Sequence, residues 1–216
     1  TKTSDEIKTL ITNAITNYNT NTLQKFDNVL RYSKLLETID GADTSILSNI
    51  TTLKLRKSFT PTLNSSTNYT VNFSNALYNP HSGHNTSAGG ILSSTGFKVS
   101  GDSNVYFFDD DGQGNVRRYY LVGSVRTYVD NTAGTITYTS GAVAINALTM
   151  TSIENIRDEA SSVIELTVTP SSNDIVPVRA QVIDIDVANS TFTVQADTLV
   201  GGSANAGIGY STTSSY

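Results

Sequence analysis

The chain has 216 residues and a formal net charge of −5 at pH 7, with 15% charged residues against roughly 25% in an ordinary globular domain. An acidic balance without a basic run makes it a poor binder of nucleic acid, and no stretch approaches the run of about 18 apolar residues that reads as a membrane-spanning helix. With no cysteine, disulfides, thiolate-bound zinc, iron–sulfur clusters and cysteine nucleophiles are excluded, while the length suffices for one domain with a real core or two small ones.

The opening TKTSDEIKTL has no basic segment leading into an apolar core, so it does not read as a signal peptide. It also has no initiator Met, which suggests a fragment or a processed product. Thr3 followed by Glu6 reads as a capping box. Ile7, Leu10, Ile11, Ala14, Ile15 and Tyr18 then share one face of a helix. Asn17, Asn19 and Asn21 favour its end, and Leu23 to Val29 reads as short and extended. Tyr32 to Ile39 reads as a second helix, with Leu35, Leu36 and Ile39 inward and Asp40-Gly41 as its stop.

From Ile46 the pattern is that of strands. Ile50 to Phe59 is rich in β-formers, and Tyr69, Val71 and Phe73 alternate with polar residues. Asn79 to Gly90 reads as a loop. Val105 to Phe108 and Val116 to Val122 read as a hairpin over Asp109 to Asn115. Val125 to Val129 and Thr135 to Thr139 read as a second hairpin, turning at Asp130 to Gly134. Val143 to Met150, Val163 to Thr169, Val178 to Val187 and Thr191 to Ala196 complete the strands, and the Gly- and Ser-rich 201–216 reads as a loop or arm. The order implies an α+β fold: an N-terminal helical pair, then mostly antiparallel strands and hairpins. The expected division is a helical segment leading into the first strand over 1–60, a β-rich domain over 61–200, and the arm.

Charge is unevenly spread. Residues 1–60 carry a net +2 and 61–216 a net −7, and Ser58 to Phe97 contains no Asp, Glu, Lys or Arg. A solvated monomer spreads charge over its surface. A long polar but uncharged stretch fits a surface covered by another chain, where desolvating charge is costly; it also fits a Ser/Thr/Asn-rich loop system in water.

Few residues suggest chemistry. Asp109-Asp110-Asp111 with Gly112 and Gly114 invites calcium, which takes converging carboxylates. The EF-hand position six residues after Gly112 is Arg118, so that motif fails and a hairpin turn is the better reading. His81 and His84 lie three apart among Pro80, Gly83 and Asn79, a loop with no nearby carboxylate to complete a metal site. Asp184 and Asp186 fall on one face of a predicted strand, a solvated face rather than an acid/base pair, and Asp158-Glu159 reads likewise. No nucleophile elbow, phosphate loop or dinucleotide fingerprint occurs. The Asn-x-Ser/Thr triplets at Asn64, Asn68, Asn72 and Asn85 are expected by chance in so Asn- and Thr-rich a chain. Lys54-Leu55-Arg56-Lys57 is either a contact for an acidic neighbour or a solvated strand end.

One ordered set of segments resembles a known family: KFDNVLRYSKLLETIDGADTSILSNITTLKLRKSF (Lys25 to Phe59), YNPHSGHN (Tyr78 to Asn85), FFDDDGQGNVRRYYL (Phe107 to Leu121), GTITYTSGAVAI (Gly134 to Ile145) and TPSSNDIVPVRAQVIDID (Thr169 to Asp186). Together they resemble contractile-tail phage baseplate wedge proteins of the baseplate-J type, most closely the C-terminal part of the large T4-like wedge subunit. The resemblance covers most of the chain and rests on the order of the segments, not on one diagnostic motif. It implies a virion structural protein of the tail baseplate, assembled in the host cytoplasm. Such a protein pairs into dimers and links into a ring around the central hub with other wedge subunits. It further implies a longer polypeptide with a large N-terminal portion, no catalytic residues and no cofactor, and neither nucleic acid nor membrane as a partner.

From the missing charge, Tyr78, Asn79, Pro80, His81 and His84 with their uncharged flanks are the expected partner contact. The rival reading is a β-rich carbohydrate-binding or adhesin module of a tail fibre or cell surface, which the Tyr-, Asn- and Thr-rich composition suits. Two amphipathic helices, which a lectin sandwich does not need, separate the two. An enzyme would require a cleft with converging titratable groups.

Overall fold

The computed structural model describes residues 2–82, 90–178 and 181–195. Helix α1 spans Ser4–Tyr18, continues through a π-helical turn at Asn19–Leu23, and is followed by helix α2 at Tyr32–Asp40. The capping box is present: the Glu6 N–H donates to Thr3 Oγ1 (3.2 Å) and the Thr3 N–H to Glu6 Oε2 (2.7 Å), satisfying N-terminal donors that a helix leaves open. The predicted faces meet. Ile11 and Ile15 of α1 pack on Leu35 and Ile39 of α2, all buried, with Ile7 and Tyr18 at the margin.

Leu23 to Val29 is not extended. Leu23 closes the π turn, fully buried against Leu30 and Ile175, and the chain then bends through Asp27 at φ 62°. The asparagines that favour an end instead widen the last turn, with the Gln24 N–H donating to Asn19 O.

Nine strands follow among the described residues. They are β1 (Leu55–Phe59), β2 (Ser66–Asn72), β3 (Ser93–Ser94), β4 (Phe97–Val99), β5 (Tyr106–Asp110), β6 (Asn115–Val122), β7 (Val125–Thr137), β8 (Ala142–Ile153) and β9 (Ile164–Val168). Every pairing is antiparallel. One sheet runs β1-β9-β3; the other runs β2-β8-β4-β5-β6-β7, with β7 pairing back onto β8. The ladders β8-β4-β5-β6-β7-β8 therefore close into a ring, a barrel-like solution that removes most free edges. Its interior holds Phe97, Phe108, Val116, Val143 and Met150, all fully buried, and β9 contributes Ile164, Leu166 and Val168 to the same cluster. Phe97 and Phe108 stack at 4.7 Å. The architecture is thus a helical pair followed by antiparallel sheets.

Other sequence expectations are corrected as well. The strand expected from Ile50 begins only at Leu55, and β3 and β4 lie where no strand is predicted. No hairpin turns at Asp130 to Gly134. β7 runs through it as one strand, because the Asp130 carboxylate accepts the Thr132 N–H (2.9 Å) and the extra residues are absorbed as bulges opposite β6. The hairpin turns later, between Thr137 and Ala142.

Nor do the described residues of Val178 to Val187 and Thr191 to Ala196 form strands; residues 179–180 and 196 lie outside the description. Ile185, Val187 and Phe192 instead pack onto the helical pair, so their alternation reflects an extended chain laid over helices. Asn19 supplies the polar partners a neighbouring strand would have given. Its Oδ1 accepts the Ile185 N–H (2.9 Å) and its Nδ2 donates to Ile185 O (3.2 Å). The 201–216 arm lies outside the described residues.

Candidate functional site

The predicted contact loop begins where Leu77 pairs with Pro170 in an isolated bridge and the Tyr78 N–H donates to Thr169 O (3.0 Å). Tyr78, Pro80 and His81 are exposed and Asn79 half-buried. Asn79 Nδ2 donates to Gly112 O (3.2 Å), tying the loop to the β5–β6 turn, while its buried Oδ1 has no hydrogen-bond partner among the described residues. His81 Nδ1 lies 3.4 Å from Ser82 O. The first four loop residues are thus together on the surface, and His84 lies outside the described residues.

The acidic run differs from its expectation. Only Asp111 belongs to the turn, where its carboxylate accepts the N–H groups of Gln113 (2.8 Å) and Asn115 (3.0 Å) and the Asn115 amide (2.7 Å). Burial raises its pKa, but these bonds together outweigh it and hold the carboxyl below its ordinary value.

Asp109 and Asp110 end β5 and are buried, at 1% and 0% exposure. Asp109 accepts from Arg117 Nε (2.9 Å) and Nη2 (3.2 Å), Arg126 Nη1 (2.7 Å) and the Tyr128 hydroxyl (2.7 Å). Asp110 accepts the Leu92 N–H (2.8 Å) and the Tyr138 hydroxyl (2.6 Å). Burial, then the bond to Asp110, pushes the Tyr138 hydroxyl far up. Burial, then Asp109, raises Tyr128. Both carboxylates are occupied by the chain's own donors, and no group of three metal-binding side chains occurs among the described residues.

The register of β5, β6 and β7 builds this cluster. Asp109 sits opposite Arg117 and Phe107 opposite Tyr119, which in turn sits opposite Tyr128. Alternation therefore puts all of them on one face. The Phe107 and Tyr119 rings stack at 5.7 Å, Tyr119 meets Tyr128 at 5.6 Å, and Arg117 and Arg126 lie over Tyr128 and Tyr119 at 4.3 and 4.8 Å. These rings engage one another and two guanidiniums.

The carboxylates at 184 and 186 do not lie on a strand, although Asp184 is exposed. Asp184 accepts from Asn19 and Gln24 (2.7 Å each), and Asp186 pairs with Arg56 and accepts the Asn189 N–H (3.2 Å). Of the basic cluster, Arg56 also meets Glu165 and Lys57 Nζ donates to Asn72 O (2.7 Å), so two of its three cations serve the chain itself.

Two further surfaces are exposed. The β6–β7 tip exposes Leu121, Val122, Val125 and Val129; its signal was aliphatics flanking the Gly123-Ser124 turn. Strand β2, inside the charge-free stretch, exposes Ser66, Asn68, Thr70 and Asn72 in alternation and pairs only with β8 among the described residues.

Residues 1–58 match the family described as baseplate structural protein gp6, C-terminal domain III. The matched segment comprises both helices, the π turn and most of β1. No curated protein matches the chain. The family match supports a phage baseplate structural protein, a component of the virion tail in contact with other baseplate subunits.

Proposed function

We propose that the chain is a structural subunit of a contractile-tail baseplate wedge, of the baseplate-J type, acting through contacts and not through chemistry. It dimerises, and the dimers link into the ring around the central hub together with other wedge subunits. Residues 1–60 serve as the helical unit and 61–200 as the β-rich domain. The loop at Tyr78, Asn79, Pro80, His81 and His84 is partner-contacting surface.

The observation that carries the reading is the match of residues 1–58 to a baseplate structural family. The absence of Asp, Glu, Lys and Arg from Ser58 to Phe97 supports it, since a surface destined for cover can dispense with solubilising charge. The test is imaging of intact tails carrying an epitope tag on this chain. Label in a ring at the tail tip is expected; a chain absent from the tail, or present only as free protein in lysates, overturns the reading.

A further inference from the structure

We infer that the edge of β2 left unpaired among the described residues is a two-fold interface, at which a second copy of this chain pairs antiparallel with it about Tyr69. The inference rests on the reading above and names one of its contacts.

An unpaired strand edge is a template for another strand unless it is short, bulged or charged. Among the described residues β3 spans two residues and β1 carries Arg56 and Lys57. The open length of β7 carries Arg126 and Asp130 and is itself bulged, because Val129 is an extra residue opposite β6 and Asn131 to Ala133 stand opposite Arg117 alone. β2 differs on each count. It has seven residues, no charge and no proline. The irregularity in its ladder falls on β8, where Asn146 and Ala147 oppose Asn68 alone, so β2 itself stays regular.

The Phe73 N–H donates to Gly141 O on the β8 side. By alternation the backbone groups of Asn68, Thr70 and Asn72 face the open edge. At its C-terminal end the edge is covered by Lys57, which takes Asn72 O.

A two-fold axis at Tyr69 sets Asn68 opposite the partner's Thr70 and Ser66 opposite the partner's Asn72. The backbone groups of Asn68 and Thr70 then bond reciprocally, while Asn72 O stays with Lys57, and each amide–hydroxyl pair can hydrogen-bond. A neutral edge meets its copy without like-charge repulsion, whereas β1 in the same arrangement brings cations together. The copies' Lys57 side chains lie at opposite ends of the paired strands.

The test uses the 216-residue chain in analytical ultracentrifugation across a concentration series. A concentration-dependent dimer is expected. N68K/T70K, which sets lysines opposite one another on exposed positions, is expected to weaken it by about tenfold or more, and N68K/T70E to keep it. The chain has no cysteine, so oxidising a mixture of N68C and T70C should give a disulfide-linked pair across one register position. N68C alone should not, its Cα atoms being too far apart. Equal dimerisation of N68K/T70K and wild type, or a chain monomeric at every concentration, overturns the interface. A chain found at the tail tip whose N68C and T70C variants never cross-link sinks this interface alone. Cross-linking by a chain absent from the tail sinks the baseplate reading alone.

Discussion

Arg117 and Asp109 face each other across the β5–β6 pair as a two-point ion pair, Nε to Oδ1 at 2.9 Å and Nη2 to Oδ2 at 3.2 Å, with both side chains buried. Arg126, about a third exposed, closes on the same carboxylate from β7. Breaking a buried pair from one side leaves the other charge uncompensated. Asp109→Ala strands two guanidiniums and is expected to cost about 3–5 kcal/mol. Arg126→Ala removes a partly solvated cation and is expected to cost nearer 1 kcal/mol, as exposed pairs do. Urea unfolding of both variants checks the order; equal losses would show that the buried pair is not the dominant interaction.

Helix α2 has Arg31 at its N-cap, with no capping side chain of its own. Asp174, 143 residues later, fills the role by accepting the Tyr32 N–H (2.8 Å) and Arg31 Nη1 (2.8 Å). Those bonds, the backbone one first, hold its carboxyl below its ordinary value. Because the folded value lies below the unfolded one, the contribution is complete above the unfolded pKa and is lost as pH falls through the folded one. Stability is therefore expected to decline below about pH 4, and Asp174→Asn to flatten that decline. Thermal unfolding from neutral to acid pH measures it; parallel curves for the two proteins would remove Asp174 from the acid response.

Local rules were legible where both partners are near in sequence. Thr3 and Glu6 lie one helical turn apart, and Tyr69 and Val71 alternate along one strand, so pattern alone located them. The β5–β6 hairpin was legible too, although its turn is shorter than expected, because Asp109 and Asp110 read as turn residues until their partners are seen: Arg117 and Arg126 for Asp109, the Leu92 N–H and the Tyr138 hydroxyl for Asp110. Asp174 as the cap of α2 is invisible for the same reason. Ile183, Ile185 and Val187 alternate as in a strand, yet they lie half-buried against the helical pair and the Leu23–Leu30–Ile175 cluster, and periodicity does not say what covers a face. In the candidate loop, exposure at Tyr78, Pro80 and His81 follows from polar, proline-punctuated sequence, whereas the bond from Asn79 to Gly112 depends on tertiary placement.

Asn19 is buried and joins the π turn to the returning chain through Asp184 and both backbone groups of Ile185. Asn19→Ala leaves the half-buried Ile185 N–H and C=O without their partner, at an expected cost of about 1 kcal/mol. The loss should be local first, because the returning segment has no strand ladder of its own. Hydrogen exchange at the Ile185 amide is expected to accelerate ahead of amides in β5 and β6. Unchanged exchange there would mean that packing of Ile185, Val187 and Phe192 alone holds the segment.

Gly134 and Gly123 lie in or beside β7 for different reasons. At Gly134 a Cβ would stand 2.1 Å from Ala144 O, where β7 crosses to β8, and the backbone on both sides is held in ladders, so it cannot yield cheaply. Gly123 adopts φ +61° with open space around it, so its demand is conformational only. Gly134→Ala is expected to destabilise by about 3 kcal/mol, at the upper end of overpacking, and to disturb the β7–β8 pairing that closes the ring. Gly123→Ala is expected to cost about 1 kcal/mol, and Gly123→Asn less, since Asn tolerates the left-handed region. Guanidinium unfolding together with amide exchange at Ala144 and Ile145 distinguishes them: only the Gly134 variant should open those amides, and the reverse pattern would place the closure of the ring elsewhere.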